Sequence, residues 1–302
     1  MACSEPLPPS VPRAIRITTG PPAGALSAAG EALASAYRAA LPDLAPEVLT
    51  SLGTVENVGV LEHGQVDVGF SFANVAYAAF VGQLPGQAAP FSRLRAIALL
   101  QRSPVNFLVG PRSVVRTIED LRGRKASFGY PGSGTNLTVE LLLRAFGLDP
   151  NALATPTLPL DEEIAGLLAG RLDALFVPGT APSSPVQAAL AGGGRLLPLQ
   201  GTPIDQMLRQ YPFYSAMVIP ADAYRELSIP VVTIGVNAVL LCRVDLADDL
   251  VYRLTKALYE APDGAAVDPA LAQWLDASVG AATPIPLHPG AARYYREREL
   301  SP

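Results

Sequence analysis

The segment Leu61-Glu62-His63-Gly64-Gln65-Val66-Asp67-Val68-Gly69-Phe70 has a counterpart later in the chain, Leu167-Leu168-Ala169-Gly170-Arg171-Leu172-Asp173-Ala174-Leu175-Phe176. Both follow the pattern Leu-x-x-Gly-x-x-Asp-x-x-Phe. Apolar residues at helical spacing precede each glycine, and a short apolar run follows each aspartate. The pattern predicts a helix, a left-handed glycine that closes it, and a buried strand, in both copies.

A second pair of matching segments lies upstream of these copies. Residues 15–19 read as a strand that ends in the glycine loop 20–24, before a helix over 26–40. Residues 126–128 likewise end in the loop 129–134, before a helix over 135–146. This alternation of strands and helices predicts an α/β protein with two similar lobes, mainly parallel sheets and flanking helices.

Two long apolar stretches, 94–109 and 231–241, are candidates for strands that cross between the lobes. Two crossings make a hinge, and a hinge between two lobes creates a cleft that closes on a ligand. We therefore divide the chain into a flexible N-terminal tether (1–12), lobe 1 (13–103 plus 237–302) and lobe 2 (104–236).

The composition excludes several classes of function. Of 302 residues, 49% are hydrophobic and 16% are charged, the net charge is −5, and Lys125 and Lys256 are the only lysines. Nucleic acids and anionic membrane surfaces need clustered cations, which this chain lacks. Its two histidines and two cysteines do not suggest a metal centre, and no acid–base pair or nucleophile set can be assembled. We expect no cofactor and no enzymatic activity.

Gly129-Tyr-Pro-Gly-Ser-Gly-Thr-Asn136 carries the most chemical information of any local segment. It reaches the start of a helix, where backbone N–H groups favour an anion, and Ser133 and Thr135 add hydroxyl groups. A phosphate-binding P-loop is excluded because Thr135 stands where that motif needs lysine. The alternative is an ordinary strand–helix turn. Thr54 is a candidate N-cap of another helix, in whose first turn Asn57 either caps or contacts a ligand.

These segments resemble the TAXI family of solute-binding proteins, the receptor subunits of certain TRAP transporters. The similar motifs are 129–135, the helix start 54–57 with Gly64-x-x-Asp67, and Pro286-Leu-His-Pro-Gly-Ala-x-Arg-Tyr-Tyr-Arg-Glu297. The resemblance implies a two-lobed type II periplasmic-binding-protein fold. It also implies a monomeric receptor that captures a small organic anion, of the carboxylate or amino-acid type, and delivers it to TRAP permease subunits.

By position, the resemblance implies ligand contacts in five short segments and at one further residue: Gly24, Ala25, Leu26, Thr54, Asn57, Phe72, Ala73, Asn74, Ser133, Gly134, Thr135, Asn136, Gly179, Thr180 and, as a weaker candidate, Tyr214. Family members often carry hydroxyl or amide side chains where this chain has Ala25, Leu26, Phe72 and Ala73. We therefore expect a solute less polar than glutamate, with its anionic end at 133–135 and an apolar body near Leu26 and Phe72.

The two ends of the chain leave alternatives open. Cys3, followed by a Pro/Ser-rich stretch, fits equally a lipid-attached cysteine after a signal peptide that this chain does not carry and an ordinary tail. The resemblance implies a periplasmic or extracytoplasmic location.

The alternative function is a ligand sensor that feeds a signalling partner, which would use the same cleft. The C-terminal segment 288–297 is either a permease contact or, as we favour, a structural lock.

Overall fold

A computed structural model describes residues 12–22, 25–129, 133–153, 158–179, 181–211, 213–260, 268–276 and 278–299. The strands are β1 (Arg13–Thr18), β2 (Leu44–Leu49), β3 (Val68–Phe72), β4 (Leu94–Val109), β5 (Ala126–Ser127), β6 (Ala174–Pro178), β7 (Arg195–Leu197), β8 (Tyr214–Ile219) and β9 (Val231–Arg243). The helices are α1 (Ala25–Ala40), α2 (Thr54–Glu62), α3 (Ala73–Val81), α4 (Gly134–Ala145), α5 (Pro150–Leu153), α6 (Leu160–Leu168), α7 (Ser184–Ala191), α8 (Thr202–Gln210), α9 (Asp248–Glu260), α10 (Pro269–Ala272) and α11 (Pro289–Glu299).

The described strands form one mixed sheet in the order β2-β1-β3-β9-β4-β6-β5, with β7 beside β4 and β8 beside β9. The two predicted crossing stretches are the long central strands β4 and β9, which pair antiparallel from Leu94–Arg243 to Pro104–Gly235. Beyond Pro104, β4 changes partners and pairs with β6 and β7. The pair β4–β9 therefore joins the two ends of the sheet.

The expected predominance of parallel pairing needs correction. Parallel pairs are found between β1 and β2, β1 and β3, and β5 and β6. The pairs that involve the long strands, namely β3–β9, β4–β6, β4–β7, β4–β9 and β8–β9, are antiparallel. All five of these antiparallel pairs involve β4 or β9, and these two long strands themselves run in opposite directions through the middle of the sheet.

The backbone conformation confirms the structure predicted for the two copies of the repeated sequence pattern. Helix α2 is followed by Gly64 at φ 71° and then by β3, while α6 is followed by Gly170 at φ 76° and then by β6. Both glycines occupy the left-handed region, which side chains with a Cβ rarely adopt. The upstream strand–loop–helix pairs also form, as β1 with α1 and β5 with α4.

Helices cover the sheet and bury it in three apolar clusters. The first cluster contains residues from both ends of the sheet, from Ile15 and Phe70 to Phe107 and Phe176, whose rings stack 4.7 Å apart. The lobe boundaries at 103/104 and 236/237 stay a prediction. No helix among the described residues is long and apolar enough to cross a membrane.

The C-terminal helix α11 packs along α9, as expected of a structural lock. Tyr294 and Tyr259 stack with centroids 5.9 Å apart, and Tyr252 donates a 2.6 Å hydrogen bond to Glu297. At the start of α11, a Cβ on Gly290 would lie 2.1 Å from the backbone oxygen of Asp248 in α9. The two helices therefore approach to a distance that only glycine permits.

We expect Gly290→Ala to destabilise the protein, because the new methyl group would push α11 away from α9. Overpacking of this kind costs about 1–3 kcal/mol. Gly59→Ala is the matched control, because a Cβ on Gly59 in α2 would meet nothing within 4 Å. That control should be neutral or more stable by about 0.5–1 kcal/mol. Equal unfolding midpoints of the two variants in urea would contradict the close approach.

His288 is buried just before α11 and is held as the neutral imidazole. Its Nδ1 accepts a 3.2 Å hydrogen bond from the Gly290 N–H, so Nε2 carries the proton that bonds the Leu246 carbonyl at 3.1 Å. Burial lowers the pKa of His288, although Asp248 nearby opposes the shift. The unfolded chain therefore takes up a proton more readily than the native protein does.

Because the native pKa is lowered, this contribution to stability is present above the unfolded value, about 6.5, and is lost as the pH falls below it. We expect the melting temperature of the native protein to fall between pH 7 and about pH 5. His288→Gln should flatten that decline, whereas His63→Gln, at an exposed helix end, should not. Identical pH profiles for all three proteins would refute this assignment.

Candidate functional site

Three helix starts from distant parts of the sequence meet at one place. A Cβ on Gly134, the first residue of α4, would lie 2.6 Å from Phe72 Cδ2 and 2.8 Å from Thr54 Oγ1. Phe72 immediately precedes α3, and Thr54 is the first residue of α2. A Cβ on Gly53 would lie 3.9 Å from the Cβ of Ser133. We call this meeting point of the α2, α3 and α4 starts the junction.

Two buried polar atoms at the junction lack a partner. Thr54 is 3% exposed and Asn74 is 6% exposed. Thr54 Oγ1 and Asn74 Oδ1 have no hydrogen-bond partner among the described residues. The N-cap of α2 is Gly53 rather than Thr54, so the expected capping role of the Thr54 hydroxyl is wrong. Buried polar groups are almost always hydrogen-bonded, so these two atoms indicate a place for a ligand or ordered water.

A directional chain of hydrogen bonds continues from Asn74. Its Nδ2 donates to Tyr214 Oη at 3.0 Å, Tyr214 donates to Thr138 Oγ1 at 3.2 Å, and Thr138 donates to the Gly134 carbonyl at 2.8 Å. Burial raises the pKa of Tyr214 to about 12, so its hydroxyl stays protonated and remains a donor. The chain joins α3 to α4 and β8, and Thr138 is a member that the sequence reasoning missed.

The start of α4 is organised by Ser133. Its Oγ accepts a 3.2 Å hydrogen bond from the Asn136 N–H, which makes Ser133 the N-cap. Gly129 has φ 83°, and a Cβ there would lie 3.0 Å from Ser133 Oγ and 3.3 Å from the Cβ of Thr135. The absence of a Cβ at Gly129 therefore leaves room for the side chains of Ser133 and Thr135 beside it. Thr135 is half-buried and Asn136 is buried.

Asn57 is used by the fold itself. It is fully buried, and its Oδ1 accepts a 2.7 Å hydrogen bond from Thr18 Oγ1. Its Nδ2 donates to the carbonyls of Thr19 at 2.5 Å and Phe70 at 2.7 Å. The amide thus ties the end of β1 to β3, and both of its donor hydrogens are engaged.

The remaining predicted contacts divide into three groups. Leu26 and Phe72 are 9% and 7% exposed and belong to the apolar core, so they offer a solute little surface in this arrangement. Gly179 donates its N–H to the Pro104 carbonyl at 3.3 Å, at the end of β6. Ala73 and Ala25 begin α3 and α1, and Gly24 and Thr180 lie outside the described residues.

A second group of buried polar atoms, near the end of β6, was missed by the sequence reasoning. Asn106 Nδ2 donates to the Val177 carbonyl at 3.0 Å, and its Oδ1 has no described partner. The hydroxyls of Ser103 and Ser183 are likewise buried without one. An asparagine inside the apolar run of β4 was the available signal.

A cavity of about 540 Å³ lies between α3 and the residues that follow α8. Strands β4 and β9 reach its wall through Leu99 and Asn237. Of the predicted contacts that the structure describes, Ala73 alone lines it. The cavity and the junction are therefore neighbouring but separately built features.

Solved structures share this architecture across most of the chain. Periplasmic binding protein BugD aligns at 16% identity over 95% of this chain and 96% of its own, with a TM-score of 0.59. PhnD1 from Prochlorococcus marinus, in complex with methylphosphonate, aligns at 14% identity over 82% and 85%, with a TM-score of 0.56. XAC2383 from Xanthomonas citri, bound to chloride ion, aligns at 13% over 95% and 99%, with a TM-score of 0.56.

At these identities the likeness concerns the fold, which is that of the type II periplasmic binding proteins. The match to a family extends over residues 17–298, nearly the full sequence. The chain belongs to the NMT1-like family.

Proposed function

We propose that this protein is an extracytoplasmic receptor that encloses a small organic solute at the junction and delivers it to a membrane transporter. The observation that carries the proposal is the pair of buried, unpartnered atoms Thr54 Oγ1 and Asn74 Oδ1 beside the start of α4. A buried polar group without a partner costs about 1–3 kcal/mol. A solute that supplies the missing hydrogen bonds recovers that free energy.

The two atoms require different hydrogen-bonding groups on the solute. Asn74 Nδ2 donates to oxygen atoms of Tyr214 and Thr138, so the free atom is the amide oxygen, which accepts hydrogen bonds only. The Thr54 hydroxyl can donate or accept. The solute therefore carries at least one N–H or O–H donor in addition to its anionic group.

The anionic group is best met at the start of α4. The first N–H groups of any α-helix lack acceptors within the helix, and the helix dipole favours a negative charge there. The hydroxyls of Ser133 and Thr135 add further donors. No Lys or Arg occurs among the predicted contact residues, so neutral donors carry the recognition. A structural neighbour, PhnD1, holds methylphosphonate, which is also a small organic anion.

Closure around the solute is supported by the chain from Asn74 to Thr138. Asn74 lies in predicted lobe 1, whereas Thr138 and Tyr214 lie in predicted lobe 2. Their hydrogen bonds would hold the lobes together once the solute is enclosed, with β4 and β9 as the hinge.

The TAXI resemblance favours TRAP permease subunits as the partner. The apolar residues Ala25, Leu26, Phe72 and Ala73 favour a carboxylate less polar than glutamate as the solute. A lipid attachment at Cys3 stays one of the two alternatives for the N-terminal stretch.

We expect a thermal-shift screen to find stabilisation by branched or aromatic carboxylates that carry a hydroxyl or amino group, and little by L-glutamate. A ligand that binds only the folded state raises the melting temperature by mass action. Strong binding of glutamate with none of the branched or aromatic acids would overturn the solute class.

Ser133→Ala should weaken binding of the acid found in that screen. It also removes a helix cap, at a cost of about 1 kcal/mol in stability. Asp268→Ala removes the cap of α10, away from the junction, and controls for that loss. Calorimetric titration should show weaker binding in the first variant alone. Unchanged affinity in Ser133→Ala would remove the α4 start from the site.

Thr54→Val gives the sharpest test of the junction, because its two expected effects have opposite signs. Removing an unpartnered buried hydroxyl leaves the solute-free protein as stable as before or more stable. The same change should weaken solute binding by about 1–3 kcal/mol, because a hydrogen bond to the solute is lost.

Thr255→Val is the matched control for this test. Its hydroxyl is also buried, but it donates to the Val251 carbonyl in α9 at 2.7 Å. Its substitution should leave solute affinity unchanged. A Thr54→Val protein that is destabilised and binds normally would show that the hydroxyl has a structural role instead.

A further inference from the structure

The cavity of about 540 Å³ beside α3 has the size of a small-molecule pocket. One wall is α3, through Tyr77, and the opposite wall is the end of α8 and the residues after it, through Gln210, Tyr211 and Phe213. Asn237 of β9 lies on its surface between them. The cavity therefore joins elements from both ends of the sheet.

Aromatic rings dominate two of its walls. The rings of Tyr77 and Phe213 lie 5.5 Å apart and tilted by 41°, and those of Tyr211 and Phe213 lie 5.8 Å apart. Tyr77 is 39% exposed, so part of its ring surface is in contact with water. A further ring placed against these side chains would stack on them and remove their surface from water.

The polar groups of the cavity are neutral. Gln83, Gln210 and Asn237 contribute amide side chains, and no Asp, Glu, Lys, Arg or His occurs among the described lining residues. An amide offers both a donor and an acceptor, so it matches another amide or a similar uncharged group. A charged molecule would lose its hydration here without gaining a counter-ion.

We propose that this cavity is a second ligand site, distinct from the junction, that takes an uncharged aromatic molecule bearing an amide-like group. In this structure α3 and the residues after α8 both line the cavity, together with Leu99 of β4 and Asn237 of β9. Asn237, which lines the cavity, joins the two long strands there, because its Nδ2 donates a 2.8 Å hydrogen bond to the Leu100 carbonyl of β4. A ligand that touches both walls favours this arrangement over any in which they separate.

Benzamide is the probe, since it combines a ring with an uncharged amide. In titration calorimetry and saturation-transfer NMR of the full chain, benzamide should bind saturably. Benzoate keeps the ring but adds a charge, and cyclohexanecarboxamide keeps the amide but loses the aromatic ring. Each should bind at least about tenfold more weakly. Equal affinity of benzoate, or no saturable binding of benzamide, would overturn the proposal.

Two neighbouring alanines provide a matched pair of blocking variants. Ala282 is exposed and lines the cavity, whereas Ala281 is exposed and does not line it. Ala282→Trp should abolish benzamide binding while Ala281→Trp retains it. Tyr77→Leu should weaken binding about tenfold through loss of the ring. Equal losses in both tryptophan variants would show that the probe binds elsewhere.

The second site and the proposed receptor function fail in different ways. Ser133→Ala, at the junction, should leave benzamide affinity unchanged. If that variant loses benzamide as well, the probe occupies the junction and the second site is wrong. If Ala282→Trp blocks benzamide while no carboxylate binds the protein at all, the cavity stands and the receptor proposal falls.

Discussion

The antiparallel pairing of β4 with β9 is the constraint on which the other elements depend. On one side of this pair β9 holds β3, and beyond Pro104 β4 holds β6 and β7. The start of α3 follows directly from β3, and Gly179 follows directly from β6. The two groups of unpartnered polar atoms are therefore placed by the same two strands. Bulges between Ala96 and Ala98 and between Leu99 and Arg102 interrupt the pairing where the cavity meets it.

Asn57 is a side chain that could serve either the fold or the ligand site. Its position in the first turn of α2 suits both a ligand contact and a structural clamp. The structure uses it as the clamp, with hydrogen bonds to Thr18, Thr19 and Phe70. The benefit to the site is indirect, because fixing the end of β1 against β3 also fixes Phe72 and Asn74. Thr54, three residues earlier, keeps a buried hydroxyl without a described hydrogen-bond partner.

Local signals explain what could be predicted from the sequence. Gly64 and Gly170 indicated helix ends because left-handed backbone favours glycine, and both adopt it. The glycine loop 129–134 indicated the start of α4, and the long apolar stretches 94–109 and 231–241 indicated the strands β4 and β9. Pairing direction was not, because an apolar run reads alike in parallel and antiparallel sheets. Thr138 and Tyr214 are far apart in sequence, and only folding brings them to Asn74. Asn106 is recognisable as an amide inside the apolar run of β4, but its neighbours Val177 and Gly179 are about 70 residues away in sequence, and only the fold brings them together.

The sparse charge of the chain decides how such a junction can discriminate. A helix start contributes about 0.3–1 kcal/mol toward an anion, which is too little to separate one carboxylate from another. Without Lys or Arg at the predicted contacts, discrimination falls to the buried neutral groups. An analogue that lacks the donor required by Asn74 Oδ1 would leave that oxygen buried and unpaired, and sites built on such hydrogen bonds reject the incomplete analogue strongly. In the proposed receptor, selectivity then resides in the Asn74 acceptor, which the hydrogen-bond chain from Asn74 to Thr138 holds in place, and in the Thr54 hydroxyl. The rigidity of that chain therefore sets how strongly the Asn74 contact discriminates between solutes.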